Sequence, residues 1–165
     1  MIRFESGNNL FNYRIVGVAL NDDKVLLHQA EGDDFWVLPG GRAEFGEPAE
    51  QTLKREMREE LDIEVEIVRL LWVVENFFTY AEKQYHEVAL YFLMRLPESC
   101  KYLLESGPFE SEDAGTPLTF RWFPRRQEEL TALPLHPAFL CSELRELPES
   151  AQHVIQNDLV QSTGC

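Results

Sequence analysis

Three glutamates, Glu56, Glu59 and Glu60, stand at i, i+3 and i+4 in the run Arg55-Glu56-Met57-Arg58-Glu59-Glu60. On a helix that spacing sets all three carboxylates along one edge. Like charges so placed repel by roughly 0.2–0.5 kcal/mol per pair, and the second half of a helix adds its own negative end. Either the edge is solvated, or a bound cation offsets the repulsion. Hard cations such as Mg²⁺ and Mn²⁺ take carboxylate oxygens and leave positions for phosphate oxygens. The chemistry within reach is therefore the holding of a hard cation that in turn takes phosphate oxygens. From the triplet alone, an exposed Glu-rich helix is the plain alternative.

The surroundings favour the first reading. Gly40 and Gly41 form a turn where backbone can approach a ligand and present a carbonyl to a metal. Glu47 lies eight residues before Arg55, near the helix start, where a carboxylate suits the dipole. Written out, Gly41-x5-Glu47-x7-Arg55-Glu56-Met57-x-Glu59-Glu60-x-Asp62-Ile63 closely resembles the signature of the Nudix hydrolases. The run Phe35-Trp36-Val37-Leu38-Pro39-Gly40 resembles the approach to that signature. Eight of the nine specified positions are met, and the exception is Asp62, where the family usually has glycine. That residue follows the helix in a left-handed conformation, which Asp visits at modest cost. The departure bears on local geometry more than on ligands.

The resemblance implies an α/β/α sandwich with a mixed sheet, spanning residues 1–165 as one domain with the box at 41–63. It implies hydrolysis of a pyrophosphate bond in a nucleoside diphosphate derivative, with Mg²⁺ or Mn²⁺ as cofactor. Glu56, Glu59 and Glu60 match the metal-binding glutamates, and Gly40 the residue whose carbonyl joins the metal shell. Arg55 matches the arginine that orients the catalytic glutamates, with Glu47 and Gly41 in supporting positions. The general base is a box glutamate in some members, here Glu56 or Glu59, and in others a glutamate from a loop before a later strand. The acidic run 101–117 offers Glu105, Glu110, Glu112 and Asp113. Glu112 is the choice, because it precedes the strand at 118–123 by a few residues; a merely solvated loop is the alternative. A homodimer is frequent in the family, though nothing in this chain demonstrates one. A nucleotide-sensing module without turnover is the rival reading, and Asp62 is its only support.

Substrate identity is written less clearly. The absence of proline between Asp62 and Leu96 disfavours the ADP-ribose type. Tyr80 falls roughly where diadenosine polyphosphate hydrolases carry a tyrosine. Tyr80 and Trp36 are the aromatic candidates for substrate contact, with a structural role the alternative for each. His86-Glu87 reads as an edge polar pair, His28 as closing a strand, and His136 and His153 as surface residues.

These groups need elements to position them. Residues 13–20 and 25–29, split by Asn21–Asp23, read as a hairpin. Residues 48–61 read as the strongest helix, with Pro48 in the first turn and Ala49, Leu53, Met57 and Leu61 at four-residue spacing. Segments 63–80, 86–96 and 118–123 read as strands, 101–117 as a loop, and about 125–161 as a helical region. The terminal 163–165 is expected to fray.

Composition agrees with that chemistry. The chain has 165 residues, with 29 acidic against 15 basic side chains and a net charge of −14. Such a balance disfavours nucleic-acid polymers and anionic membranes as partners, and leaves a metal to receive phosphate. Three scattered cysteines without a Cys-x-x-Cys suggest reduced thiols and a cytoplasmic location. The N-terminus lacks a secretory pattern, and the longest apolar run, residues 70–74, is far below the roughly 20 residues that span a bilayer.

Overall fold

Near-continuous apolar runs in Asn9–Asn21 (β2) and Lys24–Ala30 (β3), buried on both faces, build a hairpin that closes at Leu20↔Val25 and then splits. Into the split goes the segment that leads to the glutamate helix. Val37 bridges His28 on the β3 side, while Gly40–Arg42 (β4) pairs antiparallel with Arg14–Val16 of β2. In this computed structural model residues 1–105 and 107–159 are described, so the expected fraying of 163–165 lies outside them.

The remaining strands are Arg3–Ser6 (β1), Glu66–Tyr80 (β5), Lys83–Arg95 (β6), Phe109–Asp113 (β7), Thr116–Pro124 (β8) and Gln152–Asn157 (β9). They assemble in the order β7-β8-β3-β2-β6-β5-β9, with β1 and β4 beside β2. The sheet is mixed: β2 runs parallel to β6, and β5 parallel to β9.

Each face buries its own cluster. The helix Ala49–Leu61 (α1) lays Leu53, Met57 and Leu61 against Ile15, Ala19, Leu26 and Met94. Burial of each such side chain contributes about 1.5–3 kcal/mol. On the opposite face Val16, Val18, Leu27, Trp72 and Tyr91 meet Leu130 of Gln127–Ala132 (α2) and Leu140 of Leu140–Glu143 (α3). This is the expected α/β/α arrangement.

Pro48 caps α1 from an extended conformation (φ −62°, ψ 147°) rather than sitting in its first turn. At the other end Asp62 is left-handed (φ 55°, ψ 42°), its N–H donating to the Arg58 carbonyl at 3.0 Å. The Ile63 N–H reaches the Met57 carbonyl at 3.4 Å. Asp62 thus takes the geometry expected of the missing glycine.

Four readings need correction. The acidic run 101–117 is not a loop: it holds a 3₁₀ turn at Lys101–Leu103 and the edge strand β7. Buried Phe109 anchors that strand, and Ala114 and Gly115, both at positive φ, turn it into β8. An edge strand is paired along one side only, so its polar side chains stay in water. The region 125–161 is helical only at α2 and α3; Pro134, Pro137 and Pro148 interrupt it, and its later part is β9, added beside β5. Residues 160–161 lie outside the described set. Finally, His86-Glu87 is not at an edge, since β6 is flanked by β2 and β5 and Glu87 is buried; His28 lies inside β3 and is buried against Phe120. Among the described residues no helix is long and apolar enough to cross a membrane.

Candidate active site

One edge of α1 carries the three carboxylates at different depths. The Glu59 side chain is 58% exposed, whereas Glu60 is only 6% exposed and Glu56 is nearly as deep. Arg55 ties the group together. Its Nε and Nη2 donate to the two oxygens of Glu47 at 2.9 and 3.0 Å, and Nη2 also donates to the Arg42 carbonyl at 3.2 Å. Its Nη1 donates to Glu56 at 2.7 Å and to Glu59 at 3.1 Å. Thr52 Oγ1 donates to Glu47 at 2.7 Å. The Arg55 fork, helped by Thr52, holds the Glu47 carboxyl down to about 2.

Gly40 and Gly41 lie in strand β4 rather than in the turn expected of them, and the place of Gly41 is steric: a Cβ there would fall on the Glu56 carboxylate. At Gly40 (φ 144°) a Cβ would fall on the Ile15 carbonyl. The Gly40 carbonyl accepts from Arg14 Nη2 at 3.0 Å. Arg14 therefore brings positive charge from β2 toward the box. Burial pushes the Glu56 carboxyl up against the pull of Arg55. Burial, reinforced by Glu56, pushes Glu60 up to about 8.

The oxygen-rich donor set suits a hard divalent cation. Glu60 Oε2 is buried without a hydrogen-bond partner among the described residues. Buried polar atoms of this kind are costly unless something pairs with them. Glu56 and Glu59 share one positive group, Arg55 Nη1, rather than closing around a metal, and among the described residues no three His, Cys, Asp or Glu side chains are gathered tightly enough to hold one as they lie. The chemistry of the donors and the orphaned oxygen of Glu60 fit the group.

The NUDIX domain profile matches residues 12–140, which include the hairpin, the split segment and α1. The chain belongs to the Nudix family. Among curated proteins, this Nudix chain is 31% identical over 130 residues to MutT4 of Mycobacterium tuberculosis, described as a mutator protein; the match covers 79% of the chain and 45% of that relative. It is 34% identical over 73 residues to an RNA pyrophosphohydrolase of Ruthia magnifica, covering 43% of the chain and 41% of that relative. The chain thus spans less than half the length of these relatives. Among solved structures, a MutT protein of Bacillus halodurans superposes with a TM-score of 0.60 at 19% identity, covering 91% of this chain and 93% of that one. A likeness at that identity speaks for the shared fold.

Within this Nudix domain the hydrogen bonds above join Glu47, Arg55, Glu56 and Glu59, while Gly41 abuts Glu56, the charge of Glu56 bears on Glu60, and Gly40 precedes Gly41 in β4. Glu112 does not join them. Strand β7 meets α1 through Ser111, whose Oγ donates to the Glu60 carbonyl. Side chains alternate along a strand, so Asp113 shares the side of Ser111 and Glu112 points the other way. It is Asp113 whose negative charge bears on Glu60. Tyr80 sits at the end of β5, its hydroxyl donating to Asp33 at 3.0 Å and its ring edge-on to Phe35 at 6.0 Å. Trp36 is half-buried, edge-on to Phe123 at 4.7 Å, and packs with the α2/α3 cluster. Sequence reasoning missed Arg14. The available signal was a lone arginine in the apolar strand 13–20 of a strongly acidic chain.

Proposed function

We propose that this chain is a divalent-metal-dependent hydrolase of a pyrophosphate bond in a nucleoside diphosphate derivative. The observation that carries the reading is Glu60 Oε2, a carboxylate oxygen buried beside Glu56 without a partner among the described residues. Glu56, Glu59, Glu60 and the Gly40 carbonyl would hold Mg²⁺ or Mn²⁺. When bound, the metal neutralises phosphate charge and lowers the pKa of a water.

The chain's own groups do the rest. Arg55, clamped by Glu47, fixes the rotamers of Glu56 and Glu59, so the two carboxylates are oriented before substrate arrives. Glu59, the most exposed of the three, is the carboxylate best placed to take a proton from the attacking water, with Glu56 the other box candidate. Glu112 points away from Glu60 and is not assigned this role. Arg14 and the cation bring positive charge to meet an anionic substrate in a protein of net charge −14. Asp62 holds the left-handed geometry at the end of α1, so it supports turnover rather than a silent sensor.

The test is a screen of nucleoside diphosphate sugars, dinucleoside polyphosphates and nucleoside triphosphates with and without Mg²⁺ or Mn²⁺. Metal-dependent release of a nucleoside monophosphate, slowed at least about a hundredfold in Glu59→Gln, is expected. Equal turnover after chelation would overturn the reading.

A further inference from the structure

Three polar side chains lie shoulder to shoulder in the middle of the sheet. Register pairs Asn12 of β2 with Glu87 of β6, and Glu87 with Asn76 of β5. Residues opposite one another on adjacent strands share a face, so the three form one row across three strands. All are buried, at 1%, 7% and 6% exposure respectively. Asn12 Nδ2 donates to Glu87 Oε2 at 2.8 Å, which fixes how the Asn12 amide is turned. Its Oδ1 is then left without a donor, and Asn76 Oδ1 is likewise unpartnered among the described residues. The row's unmet capacity is thus in acceptors: two amide oxygens and the spare lone pairs of a carboxylate.

The row has neighbours of two kinds. One register step toward the box, the same face carries Arg14, which binds the Gly40 carbonyl, and beside it Arg42, on whose guanidinium the charge of Glu87 bears. One step the other way come Tyr85 and Phe78, stacked at 4.8 Å. From Tyr85 ring contacts run on to Tyr80 at 6.2 Å and from Tyr80 to Phe35 at 6.0 Å. A buried row of acceptors beside a run of aromatic rings suits a flat ligand whose edge donates hydrogen bonds. A carboxylate accepts best from two neighbouring N–H groups, as it does from an arginine fork. Among nucleobases, guanine offers two such groups on one edge, at N1 and at the 2-amino group, and adenine offers no such pair.

We propose that Glu87, flanked by Asn12 and Asn76, is a specificity-determining residue that reads the base of the nucleotide and selects guanine over adenine. The inference rests on the hydrolase reading above and goes beyond it by naming the base. Glu87 lies away from α1, so its substitution acts on which substrate is held rather than on the metal carboxylates.

The experiment compares GDP-glucose, IDP-glucose and ADP-glucose as substrates with Mg²⁺ present. Wild type is expected to favour guanine over adenine by about tenfold to a hundredfold in kcat/KM, the range of one or two hydrogen bonds to a charged group, with hypoxanthine between. In Glu87→Gln the preference should shrink to about threefold or less, chiefly through KM, whereas Glu59→Gln should slow all three alike and keep their ratio. Binding of GMP and AMP to the wild-type protein, read by tryptophan fluorescence without metal, gives the same comparison with no variant and no turnover. If none of the sugars is cleaved but GMP still binds at least tenfold tighter than AMP, the hydrolase reading fails and the base assignment stands. Equal binding of GMP and AMP overturns the assignment. A Glu87→Gln effect that follows ribose against 2′-deoxyribose, and not the base, also overturns it.

Discussion

Arg55 grips Glu47 with a two-toothed fork, Nε and Nη2 each meeting a different carboxylate oxygen at 2.9 and 3.0 Å. Because the third nitrogen, Nη1, is spent on Glu56 and Glu59, one guanidinium sets both the foundation and the working edge of the box. Lysine carries the charge but not the fork. Arg55→Lys is expected to lower turnover by about tenfold to a hundredfold, the usual cost of losing an orienting partner. Arg55 is a positioning residue, so an acid-stability profile is the second readout. The Glu47 carboxyl is held at about 2, below its ordinary 4.5, so its contribution to stability is complete above pH 4.5 and fades as pH falls toward 2. In Arg55→Lys acid unfolding should therefore begin at higher pH, followed by circular dichroism.

The three glutamates are predicted to be unequal. Glu59→Gln should cost at least about a hundredfold in turnover with little change in thermal midpoint, because its side chain is largely in water. Near-wild-type rates in a folded Glu59→Gln protein would remove it from the mechanism.

Glu60 gives a prediction of the opposite sign. Its folded-state pKa of about 8 exceeds the ordinary 4.5, so between those values the unfolded chain sheds a proton that the folded one keeps. Metal-free stability is then lost progressively as pH rises from 4.5 to 8, and stays level beyond. Glu60→Gln should raise the thermal midpoint of the metal-free protein at pH 8 and leave it unchanged at pH 4. Cation binding to wild type near pH 7 should release a proton, measurable by calorimetry in buffers of different ionisation enthalpy.

A methyl group at position 41 would land on the Glu56 carboxylate. Gly41→Ala is expected to weaken Mn²⁺ binding, followed by the paramagnetic relaxation of water protons, while far-ultraviolet circular dichroism stays native. Unaltered binding would show that Glu56 can move aside at no cost.

At position 62 the expectation is near-neutrality. Glycine relieves the left-handed strain of Asp62 but gains freedom in the unfolded chain. Asp62→Gly should shift stability by less than about 1 kcal/mol and leave turnover unchanged. Denaturant melts and initial rates check both.

The helix and its carboxylates were legible because every informative position lies within 23 consecutive residues, where spacing alone decides which side chains meet. The same holds for the β2–β3 hairpin. What stayed hidden depends on pairing between distant segments. Arg14 reaches the Gly40 carbonyl only because β4 settles beside β2 at one register. Asp113 rather than Glu112 faces Glu60 because β7 is a strand, and parity along a strand cannot be read from a segment taken for a loop. Strand β9 was obscured by prolines and apolar residues that resembled broken helix. The Asn12–Glu87–Asn76 row spans three strands and has no local signature at all.

The parallel pairing of β2 with β6 joins residues about 75 positions apart. Contacts so distant in sequence close slowly. A chain leaving the ribosome N-terminus first has made every residue of the box by position 63, yet Leu53 still waits for Met94 of the same core cluster. The box should thus stay without its packed core until β6 docks on β2, even though every one of its own residues has already been made.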